Sequence, residues 1–172
     1  SLFDVIIIDN ASTDNTPEVL EKYKKVFDLK ILRNEKNKSF SESINQGADM
    51  ASSEYLLLLN NDIYVENENW LQSLIDVLDY EEKTAIAGSK LLFPNGKIQH
   101  AGILFNRERI PYHFCYNLED NWLADIKNIV PGVTFACALI RKSVFDEFNG
   151  LSTEYPDGNY EDVDFCLRAR QK

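Results

Sequence analysis

The fold is decided by the stretch Asp4-Val-Ile-Ile-Ile-Asp9-Asn-Ala-Ser-Thr-Asp14 and by a second stretch like it, Tyr55-Leu-Leu-Leu-Leu-Asn60-Asn-Asp62. In both, an uninterrupted apolar run ends in polar residues, and such runs are typical of strands that are covered on both faces in a layered α/β sheet. Ligands of open α/β sheets bind in the crevice outside the carboxyl ends of the strands. We therefore expect one site formed by the polar residues after the two runs, namely Asp9, Asn10, Ser12, Asn60, Asn61 and Asp62.

The side chains of this expected site are oxygen donors. Carboxylates, amides and hydroxyls suit hard divalent cations such as Mg2+ or Mn2+, and these cations usually arrive with phosphates attached. Taken singly, each polar segment is also typical of a turn that leads into the next helix. The shared sheet edge is what favours a site for a metal-bound diphosphate over two unrelated turns.

Composition limits the class of protein. The chain has 172 residues, 44% of them hydrophobic, which fits one domain with a real core. Its formal charge of -10 argues against a nucleic-acid partner, because phosphate binding requires clustered Lys and Arg. No run approaches the ~20 apolar residues of a membrane span, and no leader segment is visible. The three cysteines are widely spaced without a metal-binding pattern, which indicates buried thiols in a cytosolic protein.

Hydrophobic spacing predicts that strands and helices alternate through residues 1–84. Capping signals at Thr16-Pro17 and Ser39-x-x-Glu42 open two of the helices, the second running to Met50. Later in the chain we expect a hairpin around 94–96, an irregular segment over 106–129 that contains His113, a strand near 133–140, a short helix capped by Ser143 and a last helix from Glu161. This order predicts a single α/β domain, residues 1–172, built as a three-layer α/β/α sandwich on a mainly parallel sheet.

The last helix opens with the acidic segment Tyr160-Glu161-Asp162-Val163-Asp164. Acidic residues at a helix N-terminus are stabilised by the macrodipole by ~0.3 to 1 kcal/mol each, so a well-started helix would account for them. The alternative is that one carboxylate points into a cleft and acts as a base. Arg168 follows Asp164 by one helical turn and is predicted to pair with it as support. His100 is predicted to be a satisfied or surface histidine.

The chain resembles the inverting glycosyltransferases of family 2, which have the GT-A fold. The resemblance lies in five segments that follow the family's order, residues 7–16, 33–37, 59–62, 137–145 and 160–170. It implies a nucleotide-binding half, residues 1–84, and an acceptor-side half, residues 85–172.

The resemblance also implies roles for individual residues. The resemblance implies that Asp9, Asn10 and Ser12 contact the nucleotide, with Asn61 as a further candidate. Asn37 and Asn45, in a segment that is otherwise typical of loop and cap residues, are candidates for lining the nucleotide from their position after the Leu29–Leu32 strand. Asp62 stands in the position of the family's DXD metal motif, so it would hold Mg2+ or Mn2+. Asp162 would be the general base, with Glu161, Arg168 and His100 on the acceptor side or in support.

The implied function is transfer of a sugar, with inversion, from a nucleotide-sugar donor to a glycan or lipid-linked glycan acceptor, as in bacterial polysaccharide biosynthesis. The expected location is the cytoplasm, including the inner face of the membrane through peripheral contact. One alternative is a catalytically inactive module of the same fold that binds a nucleotide or a glycan. A phosphoacceptor α/β domain is another, but it leaves Asn60, Asp62 and the Glu161-Asp162 pair without a role.

Two departures from the family pattern add expectations. The first position of the metal motif is Asn60 rather than an acidic residue, which removes one charge and predicts weak metal affinity. The family also normally has a strand and helix before Phe3, ~35 to 40 residues or about one β-α unit. Without them, we expect either direct pairing of the Val5 and Leu56 strands or a second chain in the gap, and poor catalysis by this form.

Overall fold

The computed structural model describes residues 3–155 and 159–171. Helices and strands alternate in the first half and strands dominate the middle. In chain order the elements are β1 Val5–Asp9, α1 Thr16–Lys24, β2 Leu29–Arg33, α2 Phe40–Met50, β3 Tyr55–Leu59, α3 Trp70–Tyr80, β4 Ile86–Gly88, β5 Leu91–Leu92, β6 Ile98–His100, β7 Ile103–Phe105, β8 Pro111–His113, a 3-10 turn Trp122–Asp125, β9 Cys137–Arg141, α4 Lys142–Glu147 and α5 Glu161–Ala169.

The α/β sandwich class is confirmed, and the expectation of a mainly parallel sheet is corrected. β1 and β2 pair in parallel, with Val5 opposite Leu29 and Asp9 opposite Arg33. The central three-stranded sheet has the order β3-β9-β4, and β9 runs antiparallel to both neighbours. The direction differs because β9 enters after the hairpin segment rather than after a crossover helix, which parallel pairing would require. The hairpins β5-β6 and β7-β8 are also antiparallel.

β1 and β3 belong to separate sheets, so the expected direct pairing of these two strands is wrong. Helix α2 connects the two sheets. A Cβ atom on Gly47 would lie 3.5 Å from Cγ1 of Ile8 in β1, and the next residue, Ala48, packs in one cluster with Leu56 and Leu58 of β3. Close helix packing therefore takes the place of a hydrogen-bonded ladder between the sheets. A second chain in the gap stays a prediction.

The core consists of two apolar clusters on opposite sides of β9. One is centred on Phe165 of α5, which is fully buried and whose ring lies 5.3 Å from Phe145 and 5.8 Å from Phe135, centroid to centroid. The other joins α3, through Leu74 and Leu78, to the same sheet. Full burial of one such side chain stabilises the fold by about 1.5–3 kcal/mol, so α5 is firmly attached to the body of the protein.

The predicted helix starts are accurate at α2 and at α5, which begins at Glu161, and the predicted caps of α1 and α4 are wrong. Ser39 and Glu42 form the expected capping box, with Ser39 Oγ accepting from the Glu42 N–H at 3.2 Å. The cap of α1 is Asn15 and not Thr16. Ser143 lies inside α4, because the chain passes directly from β9 into that helix and Arg141 takes the cap position.

The segment 106–129, expected to be irregular, contains β8 and the 3-10 turn. Lys90 attaches this segment to the sheet by hydrogen bonds to Asp120 at 3.0 Å and Asp125 at 2.5 Å.

In the described residues, none of the helices has both the length and the apolar character that a membrane span requires.

Asn45 of α2 holds the turn after α4. Its side chain donates to the Leu151 carbonyl and accepts from the Leu151 N–H, both at 2.9 Å. Gly150, the residue before Leu151, has φ +70°, and a Cβ atom on it would lie 2.4 Å from Asn45 Oδ1. This turn needs glycine both for its backbone conformation and for the close approach of Asn45.

Gly150→Ala should therefore lower the free energy of unfolding by about 2–4 kcal/mol, since left-handed backbone and crowding both cost energy. Gly96→Ala is the matched control. Gly96 also has a positive φ, +80°, but nothing lies within 4 Å of its Cβ position, so only the conformational cost of roughly 1–2 kcal/mol applies. Urea unfolding of both variants gives the comparison, and equal losses would contradict the proposed crowding against Asn45.

Candidate active site

The loop after β1 is closed by an ion pair. Asp9 accepts hydrogen bonds from the Ser12 N–H at 2.9 Å and from Arg33 Nη1 at 2.6 Å, and its side chain is 1% exposed. Arg33 also donates to the Ser12 carbonyl at 2.9 Å. The hydrogen bonds from Ser12, and then the charge of Arg33, lower the pKa of the Asp9 carboxyl. Asp9 is thus an ionised residue that shapes the loop from within.

Asn10 connects this loop to the segment that leads into α2. Its Nδ2 donates to Asn37 Oδ1 at 2.7 Å and to the Lys38 carbonyl at 2.8 Å, while its Oδ1 accepts from the Lys38 N–H at 2.9 Å and from Asn34 Nδ2 at 3.0 Å. Both donors and both acceptor positions of the amide are therefore used. Asn34 in turn exchanges two hydrogen bonds with Gln46 of α2. These contacts give Asn10 and Asn37 a loop-shaping role, and Gln46 is a member that sequence reasoning missed.

Asn60, Asn61 and Asp62 follow β3 directly. Asn60 is half-buried and its N–H donates to the Ala136 carbonyl at 2.9 Å, whereas Asn61 and Asp62 are exposed. Among the described residues there is no cluster of three His, Cys, Asp or Glu side chains that could hold a metal ion. One carboxylate beside two amides fits Mg2+ or Mn2+ when phosphate oxygens and water complete the coordination. The donor set therefore fits a metal-nucleotide complex better than a bare ion.

A cavity of about 460 Å3 opens beside Asn60. It lies between the end of β3, the segment before β9, strand β8 and the start of α5. Its walls are formed by residues 111–113, 134–136 and 159–163 together with Phe40, Asn60 and Ile103.

Asp162 is half-buried in the wall of this cavity. Burial raises the pKa of its carboxyl, and hydrogen bonds from the backbone of Val163 and Phe135 and from the Thr134 side chain offset part of that rise. The Val163 N–H donates to Asp162 Oδ1 at 2.7 Å. A carboxyl with a raised pKa in a cavity is a stronger base than an exposed one, which suits proton abstraction.

The neighbours of Asp162 have different environments. Glu161 is 7% exposed, and its Oε2 has no hydrogen-bond partner among the described residues. Burial raises the pKa of Glu161, and the charge of Asp162 adds to the effect. Arg168 pairs with Asp164 at 2.8 Å and donates to the Gly150 carbonyl at 3.0 Å, so it fixes α5 on the protein body and does not line the cavity.

His100 is buried at 1% exposure, under the cavity wall. Its Nδ1 lies 2.7 Å from Nδ1 of His113, a residue of the cavity wall that sequence reasoning assigned to an irregular segment. Burial, and then the proximity of His113, lower the pKa of His100 to about 3.

The expected site is thus divided into two groups. Asn60, Glu161 and Asp162 meet at the cavity, whereas Asp9, Asn10, Ser12 and Asn37 form the loop network after β1. Asn45 hydrogen-bonds the Leu151 backbone through both its Nδ2 and its Oδ1, and its nucleotide contact stays a prediction. Sequence reasoning missed His113 and Thr134 at the cavity, and their isolated positions in the sequence carry no pattern that would have identified them.

Residues 1–148 match the family described as Glycosyl transferase family 2. The O-antigen biosynthesis protein RfbC of Myxococcus xanthus is 30% identical over 169 residues, which are 89% of this chain and 12% of that protein. The chain spans between 12% and 19% of the length of the curated relatives that cover most of it.

Solved structures show the same fold. TarS residues 1–349 of Staphylococcus aureus, in complex with UDP, superposes with a TM-score of 0.65 at 21% identity, covering 97% of this chain and 45% of that one. The mannosyltransferase PcManGT of Pyrobaculum calidifontis, in complex with GDP-Man and Mn2+, superposes with a TM-score of 0.66 at 13% identity, covering 94% and 42%. At these identities the likeness establishes the GT-A fold.

The Asp9 ion pair predicts a pH-dependent contribution to stability. Because the pKa of Asp9 is lowered by folding, its contribution is complete above the ordinary value of about 3.9 and is lost as the pH falls through the lower, folded value. Asp9→Asn should therefore be less stable than the wild type at neutral pH, and the difference should shrink in strong acid. Urea unfolding from neutral pH to strong acid measures this stability difference, and Asp28→Asn, at an exposed position, is the control. A difference that is constant with pH would contradict the prediction.

Proposed function

The chain belongs to glycosyl transferase family 2, and we propose that it transfers a sugar from a nucleotide-sugar donor to a glycan acceptor. The observation that carries the proposal is the cavity that places Asp162 beside the polar end of β3. A base and a diphosphate-binding edge at one cavity are the two parts that sugar transfer from a nucleotide requires.

The proposed reaction is a single displacement with inversion at the anomeric carbon. A bond forms between an acceptor hydroxyl oxygen and the anomeric carbon, the bond from that carbon to the phosphate oxygen breaks, and Asp162 takes the hydroxyl proton. General base action of this kind contributes roughly a hundredfold to ten-thousandfold in rate. The raised pKa of Asp162, caused first by burial, supports its assignment as the base.

The donor would lie across the carboxyl ends of β1 and β3. Asp62 would hold Mg2+ or Mn2+, with the Asn60 and Asn61 amides beside it, and a divalent cation supplies neutralisation of charge on the departing diphosphate. The loop held by Asp9, Asn10 and Ser12 would then shape the nucleoside pocket. The UDP bound to TarS and the GDP-Man and Mn2+ bound to PcManGT support a nucleotide-sugar donor for this chain.

A glycan or lipid-linked glycan is the acceptor class we propose, as in polysaccharide assembly. The O-antigen biosynthesis protein RfbC supports this class. We propose the cytoplasm as the location, including the inner face of the membrane. All three cysteines are free thiols in the structure, which fits a reducing compartment.

The second candidate is a catalytically inactive module that binds a nucleotide or a glycan. It is favoured by the presence of Asn60 where the family motif is usually acidic and by the exposure of Asp62. Hydrolysis of UDP- and GDP-linked sugars, assayed with and without Mn2+, separates the candidates. An enzyme releases the nucleoside diphosphate in turnover, whereas the inactive module binds the donor and leaves it intact.

Asp162→Asn keeps the shape of the side chain but cannot accept a proton. We expect the rate of hydrolysis or transfer to fall roughly a hundredfold or more, while the Kd for the donor changes little. The wild-type rate should rise with pH through the raised pKa of Asp162, above the ordinary 3.8, and this limb should be absent in the variant. Asp28→Asn is the control. Equal losses of donor binding and turnover would make Asp162 a structural or donor-binding residue.

Asp62→Ala should weaken binding of UDP in the presence of Mn2+ roughly tenfold to hundredfold, the effect of losing an interaction with a charged group. Asn60→Asp should strengthen it by restoring an acidic neighbour. Calorimetry with UDP, with and without Mn2+, measures both, and Asp28→Ala is the control. Unchanged affinity in Asp62→Ala would remove Asp62 from the metal site.

A further inference from the structure

The buried histidine beneath the cavity has no role in the reaction proposed above. His100 Nε2 lies 3.2 Å from the N–H of Gly102 and 3.3 Å from the N–H of Thr134. A backbone N–H can only donate, so Nε2 must be the unprotonated, accepting nitrogen. Because burial keeps His100 neutral at ordinary pH, with a pKa of about 3, its single ring proton is on Nδ1.

This assignment decides the state of His113. The two Nδ1 atoms are 2.7 Å apart, and with the proton on His100 Nδ1 the His113 nitrogen must accept. The proton of neutral His113 is then on Nε2. A proton on His113 Nδ1 would place two N–H groups face to face, so the geometry makes this nitrogen the acceptor.

The printed contact from His100 engages the Nδ1 side of the His113 ring, and the His113 side chain forms part of the cavity wall. Thr134 connects this pair to the base, since its N–H donates to His100 and its side chain hydrogen-bonds Asp162. A positive charge on His113 would lower the pKa of Asp162, in opposition to the effect of burial. A neutral His113 preserves the basicity of Asp162.

We propose that His100 fixes His113 as a neutral hydrogen-bond donor and that His113 Nε2–H binds a hydroxyl oxygen of the acceptor sugar beside Asp162. This inference rests on the proposed function. A neutral N–H matches an uncharged hydroxyl, whereas a diphosphate would be bound more strongly by a charged donor.

The position of His113 favours the acceptor over the donor sugar. His113 and Tyr112 also line a second cavity, of about 550 Å3, whose other walls are Cys115, Tyr116 and Leu118. A mostly apolar and aromatic pocket with a few polar groups, here the His113 ring and the Tyr112 and Tyr116 hydroxyls, is typical of small-ligand sites. His113 lines both cavities, so an acceptor glycan bound beside Asp162 can extend past His113 into the second one.

The chain suits a direct spectroscopic test, because His100 and His113 are its only histidines. We expect 15N NMR of the histidine-labelled chain at neutral pH to show the proton on Nδ1 of His100 and on Nε2 of His113, with His113→Phe providing the assignment. The Nδ1–H form is the less common one for free histidine, so it is a specific result. Protonation of His100 at Nε2, or a mixture of forms at His113, would overturn the proposal.

The ligand is tested by titration with methyl glycosides of glucose, galactose, N-acetylglucosamine and rhamnose in the presence of UDP and Mg2+. We expect at least one glycoside to shift the His113 Nε2 signal, and UDP with Mg2+ not to shift it. A shift caused by UDP and Mg2+ would assign the group to the donor and overturn the proposal. Absence of any shift with all four glycosides would also overturn it.

Two variants separate the hydrogen bond from packing. His113→Phe removes the donor, and we expect about a tenfold weaker Kd for the glycoside that binds, the effect of one lost hydrogen bond. His113→Gln places an amide N–H near the position of Nε2 and should restore most of the affinity. Equal weakening in both variants would overturn the role of the N–H.

These binding measurements do not depend on turnover. Intact glycoside binding at His113 together with no donor hydrolysis would contradict the proposed enzyme and leave this inference standing. Hydrolysis that depends on Asp162, with no glycoside effect at His113, would support the proposed enzyme and contradict this inference.

Discussion

The burial of Phe165 is the interaction on which the candidate site depends. Its ring packs against Phe135, Phe145 and Phe148 in the larger apolar cluster, and Arg168 lies over its face with the guanidinium carbon 5.1 Å from the ring centroid. These contacts fix helix α5 through its middle, so the N-terminal turn that carries Asp162 has one position relative to β9 and the Thr134 segment. A carboxyl can be held partly desolvated only if its support cannot move away, and the aromatic cluster supplies that support.

Features that depend on neighbours in the chain were predictable. The apolar runs before Asp9 and Asn60 became β1 and β3, and the capping box at Ser39 begins α2 as expected. Features that depend on distant partners were not. The route of the preceding hairpins decides whether β9 runs parallel or antiparallel to β3 and β4. An apolar run of residues is compatible with either direction, so the sequence does not distinguish them. Ser143 has the residue type of a cap, but the direct passage from β9 into α4 leaves it inside the helix.

The same distinction applies to the site. Residue type and strand position predicted that Asp9 and Asn10 face a ligand, which stays a prediction; the structure adds their hydrogen bonds to Arg33, Lys38 and Asn34, which come from other segments. Sequence alone cannot show that a polar group is already satisfied. The histidine pair is a second case, since the tautomer of His113 follows from backbone N–H groups at Gly102 and Thr134 that converge on His100.

The central place of β9 has a consequence for the order in which the protein can fold. Residues 55–59 are made early, but their ladder partners, residues 137–141, come from much later in the chain. During synthesis the β3 backbone has no ladder partner in this sheet until residues 137–141 have been made. Long-range pairing of this kind is slow and exposes strand edges to other chains in the interval. We expect refolding to be limited by the insertion of β9, and nascent chains that end before residue 137 to be the species most prone to aggregate.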